Sequence, residues 1–313
     1  MSKTSSDLVR HALHGPTMGT RWTALFFASP ERDPAPIREA LQAAVEEVDA
    51  QMSTWKPDSD LMRLNAAALD KWVAVPERLA EVLRLGLEIG KASGGAFDIG
   101  LGDAVNAWGF GPEEAAPDRI RAAMSAKRQP AFELLELDDG RARKRGPLVL
   151  DLNGIAKGYG VDRLAQTLAE QGIEAGLVGI DGEMRASGLR PDGTPWTIAI
   201  ESPDPLRRTP HSILALENAS VATSGDYRHW IDLGTRRLSH TMDLSRGAPV
   251  VTSPASVTVV ARSCAEADGW ATALMVRGPE AGGELARKIR LDALFLMREN
   301  CGQVTSFGTG ALF

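Results

Sequence analysis

The feature that most constrains the fold of this chain is a change in hydrophobic period along the sequence. Between residues 37 and 52, apolar residues recur at spacings of three and four, which predicts a helix with one apolar face. Beyond residue 172 the apolar residues form short runs instead, separated by turn pairs such as Asp181-Gly182 and Asp192-Gly193. Helical segments in one part and short strands in another predict an α+β fold, with helices segregated from an antiparallel sheet.

The same patterns predict the individual elements. At 313 residues the chain has room for one large domain or two smaller ones, and we find neither an internal repeat nor a long linker. Predicted helices cover about residues 34–52, 79–89, 161–172, 265–276 and 279–289, and predicted strands cover residues 21–28, 132–138, 148–152, 176–180, 184–186, 197–201, 212–216, 220–223 and 257–261.

Composition and charge narrow the function classes. With 35 Lys and Arg against 41 Asp and Glu, the net charge is −6, so there is no general basic surface for nucleic acid. The first residues lack the apolar core of a secretory signal, and no window approaches the roughly 18–20 apolar residues of a membrane span. We therefore expect a cytoplasmic protein, with a periplasmic location as the alternative if a signal has been removed.

One candidate metal site lies in the sequence CAEADGWATALMV, which is predicted to be helical. Asp268 and Thr272 are four residues apart, so a helix presents the carboxylate and the hydroxyl on the same face. Two hard oxygens suit Mg²⁺, which usually takes one or two carboxylates and completes its shell with phosphate and water. The same spacing is compatible with Asp268 in a first helical turn, where it would complement the helix dipole.

A candidate phosphate site lies in LDLNGIAKGYGVDRL, where a short apolar run is followed by a glycine-bearing turn and a helix. Such a turn brings backbone amides towards a phosphate, and Lys157 would add a point charge. The segment matches neither a Walker A loop nor G-x-G-x-x-G. A tight strand-to-helix connection with a solvent-exposed lysine remains the alternative.

A candidate acid–base pair lies in SHTMDLSRG. His240 and Asp243 are close enough in sequence to share a site, in which a carboxylate orients a histidine that accepts a proton from a hydroxyl. A structural histidine is the alternative. Further towards the N-terminus, Trp55 lies among polar residues, where its indole could stack on a flavin or purine ring or belong to the core.

Eight stretches of the chain together resemble, in order and spacing, the ApbE family of FAD:protein FMN transferases. They run from residue 16 to about residue 278 and so cover most of the chain. Each stretch alone is a weak signal, whereas eight in the family order are specific. The stretches are PTMGT, MSTWKPDSDLMRLN, GGAFDIG with NAWGFG, LDLNGIAKGYGVDRL, GIDGEMRASG, ATSGDYRHW, SHTMDLSRGAP and SVTVVARSCAEADGWATALMVRG.

The resemblance implies a role for each matching catalytic or metal-binding residue. The implied Mg²⁺ ligands are the main-chain carbonyl of Ala156 and the side chains of Asp268 and Thr272. His240 resembles the base that deprotonates the acceptor hydroxyl, and Asp243 matches the acidic residue of the same family segment.

The resemblance also implies which residues contact the substrate FAD. Trp55 occupies the position of the family's flavin-stacking aromatic residue, and Lys157 matches the lysine near the pyrophosphate. Met18 and Asp98 fall in family segments that line the FAD pocket. The implied architecture is two-lobed and T-fold-like, with antiparallel sheets, flanking helices and FAD in the cleft between the lobes. Residues 1–313 would be one catalytic unit, with parts 16–150 and 151–313 interleaved around that cleft.

The implied activity is Mg²⁺-dependent transfer of the FMN moiety of FAD to a Ser or Thr hydroxyl of an acceptor protein, with release of AMP. The implied acceptor carries a Gly-flanked Ser or Thr, often in a membrane redox complex. Two alternatives stay open within the family resemblance: an Mg²⁺-dependent FAD pyrophosphatase and a non-catalytic FAD-binding protein. A third is a structural or partner-binding domain, against which the joint presence of Ala156, Lys157, Asp268 and Thr272 argues.

Two departures from the family pattern concern residues near the predicted site. The family's H-I-I-D-P-x-T-G reads HTMDLSRG from His240, so a proline that stiffens the turn is missing. The family's Gly-Gly-Asp reads Asp181-Gly182-Glu183, which places more acid near the cleft.

Overall fold

The computed structural model describes residues 8–204, 207–227, 230–233, 236–250, 254–299 and 303–313. Helices and antiparallel strands are both extensive in it, and the predicted α+β class is confirmed. The helices are α1 (Ala35–Met52), α2 (Asp60–Ala66), α3 (Glu77–Ala92), α4 (Gly102–Ala107), α5 (Pro117–Ser125), α6 (Ala131–Leu134), α7 (Ala156–Glu170) and α8 (Cys264–Ile289).

The strands pair antiparallel throughout. They are β1 (Val9–Thr17), β2 (Thr20–Ala28), β3 (Val73–Ala74), β4 (Leu135–Asp138), β5 (Arg141–Lys144), β6 (Gly176–Ile180), β7 (Glu183–Ser187), β8 (Trp196–Glu201), β9 (Pro210–Leu216), β10 (Ala219–Gly225), β11 (Trp230–Leu233), β12 (Arg236–Ser239), β13 (Met242–Asp243), β14 (Ala248–Pro249), β15 (Ser256–Ala261), β16 (Asp292–Arg298) and β17 (Val304–Thr309).

One eight-stranded sheet organises the molecule, in the order β1-β2-β6-β7-β10-β15-β16-β17. Side chains alternate between its two faces. In β2, Trp22, Ala24 and Phe26 are buried against α1 and α7, whereas Leu25 and Phe27 face the other side, which the β8–β9 hairpin covers. Helices α7 and α8 therefore lie together on one face of the sheet, and the candidate site lies where these two helices begin.

The break between the two predicted C-terminal helices is a kink within α8. Gly278 has a φ of 77°, and Pro279 follows it. Because Pro279 has no amide hydrogen to donate and Gly278 tolerates a positive φ, the helix changes direction here.

One predicted strand was wrong, and another was right only in its second half. Residues 148–152 form only a bridge between Val149 and Leu101. The side chain of Asn65 takes the place of a partner strand, donating from Nδ2 to the Leu150 carbonyl and accepting from the Leu150 amide. The predicted strand 132–138 begins instead as the short helix α6, and only β4 is extended.

No helix within these described ranges combines the length and the apolar character needed to cross a bilayer.

Candidate active site

The first turns of α7 and α8 meet, and each helix supplies a carboxylate to the other. Asp162 of α7 accepts hydrogen bonds from the Cys264 and Ala265 amides at the start of α8, both at 2.9 Å. In return, Asp268 of α8 accepts one from the Gly158 amide of α7, at 3.1 Å. We call this place, formed by residues 154–162 and 263–272, the helix junction. The exchange satisfies helix N-terminal amides that have no partner within their own helix.

Glycine is required where the two helices cross. A Cβ on Gly158 would overlap the carbonyl oxygen of Cys264 and lie 2.8 Å from the Cα of Ala265. Because those atoms are backbone, they cannot rotate away. The close approach lets the amide of Gly158, two residues after the first residue of α7, reach the Asp268 carboxylate.

Thr272 lies one helical turn beyond Asp268 and faces the loop that precedes α7. Its Oγ1 lies 3.1 Å from Ser224 Oγ and 3.3 Å from the position of a Cβ on Gly154. Gly154 lies in turn against the ring of Phe97. Asp268 and Thr272, two of the residues predicted as metal ligands, thus contact Gly158 and Gly154, which lie two positions on either side of the third, Ala156.

Burial raises the pKa of Asp268 to about 7, and repulsion from Glu183 adds to the rise. The positive charge of Lys157 and the hydrogen bond from the Gly158 amide both lower the pKa of Asp268, but by less. A buried carboxylate that is this reluctant to ionise gains from a nearby cation, because a positive charge favours the charged form.

Lys157 points towards acidic side chains on the β6–β7 hairpin. Its Nζ lies 2.9 Å from Glu183 Oε1 and 3.3 Å from Asp181 Oδ2. Burial opposes its charge, but Glu183, Asp268 and Asp181 outweigh burial, so the pKa of Lys157 lies above its ordinary value. The hairpin can carry both acids side by side because its turn, Asp181-Gly182, has positive φ at both positions.

The donor chemistry of the junction fits a divalent ion such as Mg²⁺. In the described part of the chain, no three His, Cys, Asp or Glu side chains converge as a ligand cluster. An ion here would depend on Asp268, an alcohol and a peptide oxygen, with ligand phosphate and water completing its shell, which is the usual pattern for Mg²⁺. The Glu183 Oε2 atom, buried without a hydrogen-bond partner, indicates acceptor capacity that the protein leaves unused.

His240 and Asp243 lie in a different setting, in residues 239–250, which we call the 239–250 segment. The His240 ring packs edge-on against Phe110, with centroids 6.4 Å apart. Asp243 Oδ1 accepts hydrogen bonds from the Ser245 amide at 2.8 Å and from Ser245 Oγ at 2.7 Å. Asp243 and Ser245 therefore stiffen the turn in which the family proline is missing.

A cavity of about 690 Å³ lies between the 239–250 segment and α8. Its volume is within the range of about 300–1,000 Å³ typical of small-molecule sites. Val276 and Arg277 of α8, one turn beyond Thr272, line it together with Asp243 and Ser245. The cavity is therefore shared by the 239–250 segment and the part of α8 that follows the junction.

The remaining predicted residues, Met18, Trp55 and Asp98, lie on other elements of the fold and differ in their exposure. Met18 occupies the β1–β2 turn with a φ of 46°, and its Cε approaches Gly160 of α7. Trp55 lies between α1 and α2 and is 61% exposed, so it is not a core residue. Asp98 accepts hydrogen bonds from the Gly100 and Ala131 amides, and burial raises its pKa to about 6.

Sequence reasoning missed several residues that shape the site. Ser263 caps α8 by accepting from the Glu266 amide, and the S-x-x-E pattern at positions 263–266 is a signal that could have found it. Nothing local to Ser224 or Asp162 indicated their contacts, since their partners are 48 and 102 residues away.

The fold and the junction together define a class: an α+β protein in which a buried carboxylate, a hydroxyl and an ion-paired lysine lie where two helices begin. The family model for the ApbE family matches residues 18–295. The chain belongs to the ApbE family.

Its relatives span nearly the whole chain. A Vibrio cholerae protein named FAD:protein FMN transferase is 38% identical over 295 residues, covering 93% of this chain and 88% of the relative. One of the same name from Klebsiella pneumoniae is 35% identical, covering 93% and 85%. Among solved structures, the flavin transferase ApbE from Vibrio cholerae has a TM-score of 0.85 at 35% identity, covering 96% of this chain and 97% of that one. The apo form of the Pseudomonas stutzeri flavinyl transferase ApbE has a TM-score of 0.85 at 36% identity, covering 96% and 95%.

Proposed function

We propose that this chain is an Mg²⁺-dependent FAD:protein FMN transferase that esterifies FMN onto a Ser or Thr hydroxyl of an acceptor protein and releases AMP. The observation that supports the proposal is the helix junction, where Asp268 and Thr272 contact the glycines on either side of Ala156, and Lys157 follows Ala156 directly. The names of relatives that align over nearly the whole chain support the same activity.

In this proposal the junction residues hold the diphosphate end of FAD. The main-chain carbonyl of Ala156 and the side chains of Asp268 and Thr272 would hold Mg²⁺. The ion, when bound, neutralises charge on the diphosphate and on the departing AMP. Lys157 offers its ammonium to the phosphate oxygens, which compete for it with Glu183 and Asp181.

His240 acts as the general base in this proposal. It takes the proton from the acceptor hydroxyl, whose oxygen forms a bond to the FMN phosphorus while the bond from that phosphorus to the AMP oxygen breaks. Asp243 supports His240 by keeping the turn in place. The cavity between the 239–250 segment and α8 is where a protein hydroxyl would approach the phosphorus.

The rest of the FAD molecule would lie in the cleft between the two interleaved parts of the chain, residues 16–150 and 151–313. The solvent-facing indole of Trp55 would stack on a ring of FAD. Met18, near the first turn of α7, and Asp98 would line the same pocket. The acceptor would carry a Gly-flanked Ser or Thr of the D-G-x-[ST]-G-A-T kind, as in subunits of membrane redox complexes.

The test is to incubate the protein with FAD, Mg²⁺ and an acceptor carrying such a motif, then to look for a flavin adduct by mass spectrometry and for AMP by chromatography. We expect both products, and we expect neither from Asp268→Ala. Asp118→Asn, at an exposed position on α5, is the control and should behave like the wild type. AMP without an adduct would identify an FAD pyrophosphatase, and bound intact FAD without either product would identify a carrier. Unchanged turnover in Asp268→Ala would refute the proposed metal site.

A further inference from the structure

Glu183 is the most unusual carboxylate near the junction that the proposed reaction does not use. Its side chain is 5% exposed, and Oε1 forms the closer of the two ion pairs of Lys157. Its Oε2 is buried and has no hydrogen-bond partner within the described residues. Leaving a buried charged acceptor unsatisfied is unfavourable, so an atom of this kind marks a place where something else can bind.

The charges around Lys157 do not balance. One ammonium faces the carboxylates of Glu183, Asp268 and Asp181, all of which attract it. Asp181 is 40% exposed and can be screened by water, but Glu183 and Asp268 are both buried. The junction therefore has more buried acidic groups than Lys157 alone can neutralise, which favours a cation and disfavours an anion such as a diphosphate.

We propose that Glu183 is a positioning residue that makes diphosphate binding at the junction depend on the cation. Its Oε1 holds the Lys157 ammonium, and its Oε2 accepts a hydrogen bond from a water molecule of the cation's shell. Without the cation, Glu183 competes with the diphosphate for Lys157. With the cation bound, the excess charge is neutralised and Lys157 can turn to the phosphate oxygens. This inference rests on the proposed function, because it concerns the same cation and the same diphosphate.

A purely structural ion pair would behave differently. If Glu183 served only to hold the β6–β7 hairpin against α7, its removal would loosen the junction and weaken the binding of cation and diphosphate alike. If Glu183 sets the charge balance, its neutralisation must move the two affinities in opposite directions. The two affinities can be measured separately and without turnover.

The experiment compares the full-length wild type with Glu183→Gln, which keeps the shape of the side chain and removes its charge. Calorimetric titration with MgCl₂ alone gives the cation affinity, and quenching of flavin fluorescence in EDTA gives the affinity for FAD without cation. We expect Glu183→Gln to bind Mg²⁺ roughly fivefold more weakly and cation-free FAD roughly fivefold more tightly, the lower end of typical coupling between sites.

Two further variants keep the test decisive. Asp181→Asn removes the longer and more exposed ion pair of Lys157, so it should shift both affinities in the same senses but less. Glu183→Asp keeps the charge and should recover most of the Mg²⁺ affinity, even if Glu183→Gln folds poorly. Affinities that fall together, or that do not change, would overturn the role of Glu183. A wild type that binds neither Mg²⁺ nor FAD would instead refute the proposed function itself, and this inference with it.

Discussion

The helix junction and the 239–250 segment are built in opposite ways, although α8 continues beyond the junction to Val276 and Arg277, which line the same cavity as Asp243 and Ser245. The junction consists of two long helices on the face of an eight-stranded sheet, tied by hydrogen bonds that backbone amides donate to the carboxylates of Asp162 and Asp268. Apart from Ser239 at the end of β12, the 239–250 segment contains only the two-residue strands β13 and β14. Trp108 Nε1 donates to the Gly247 carbonyl at 3.0 Å, and Asp243 holds its own turn.

The difference indicates that the two regions have different roles. A rigid junction suits residues that must hold an ion and a diphosphate in fixed geometry, because small displacements there are costly to catalysis. A short segment on the rim of a cavity suits a residue that meets a second protein, since binding residues concentrate on loops held by a rigid scaffold. We therefore expect changes in the junction to affect binding or folding, and changes in the 239–250 segment to affect the chemical step.

The largest effect that separates the two regions is expected from His240→Gln. Loss of a general base typically slows a reaction by about 10²–10⁴-fold, so flavin transfer should fall by that factor. Binding of FAD and of Mg²⁺ should stay near wild type, because the junction is untouched. Single-turnover transfer and equilibrium binding are the measurements, with His211→Gln, at an exposed position on β9, as the control. A matching loss of FAD affinity would show that the two regions do not act separately.

The next effect concerns folding of the junction. Gly158→Ala places a methyl group against the backbone of Cys264 and Ala265, so the helices must separate. Overpacking of this kind costs about 1–3 kcal/mol, and we expect at least that loss in the free energy of unfolding, measured by urea denaturation. Gly269→Ala is a matched control on α8, because its methyl group would meet only the flexible end of Ile89. Equal losses in both variants would mean that the crossing at Gly158 is not especially tight.

The same contrast explains what could be predicted from the sequence. Strand β6 was predicted with its observed bounds, because its apolar run ends at the turn pair Asp181-Gly182. Asp268 and Thr272 were predicted to share a helix face because that depends only on helical spacing. Sequence patterns were sufficient for these features because each depends only on residues that are close together in the chain.

The errors arose where the cause lay far away in the chain. Residues 148–152 have the composition of a strand, but the side chain of Asn65, 85 residues earlier, takes both backbone hydrogen bonds of Leu150 at their centre. The contact of Ser224 with Thr272 depends on how β10 packs against α8, which no local pattern encodes. Strand β1 was missed because most of its side chains are exposed, so its apolar alternation is faint.

The smallest effect we predict concerns the segment that touches both regions. Gly95 lies against Leu244 of the 239–250 segment, and Phe97 lies against Gly154 of the junction. Asp98 anchors this segment through its bonds to the Gly100 and Ala131 amides. Because Asp98 anchors a segment that touches both regions, we expect its charge to affect the free energy of unfolding of the whole protein.

The pH dependence of that stability has a definite sign. Burial raises the pKa of Asp98 to about 6 from an unfolded value of 3.8, so the folded protein binds the proton more tightly. The stabilisation that protonation provides is complete below pH 3.8 and is lost as the pH rises through about 6. Asp98→Asn cannot lose a proton, so its destabilisation relative to wild type should be smaller at pH 7 than at pH 4.5. After allowance for partial exposure we expect a difference on the order of 1 kcal/mol between these pH values, measured by urea denaturation without ligand. Asp118→Asn serves as the control and should show no such trend. A destabilisation by Asp98→Asn that is the same at both pH values would show that folding does not raise the pKa of Asp98.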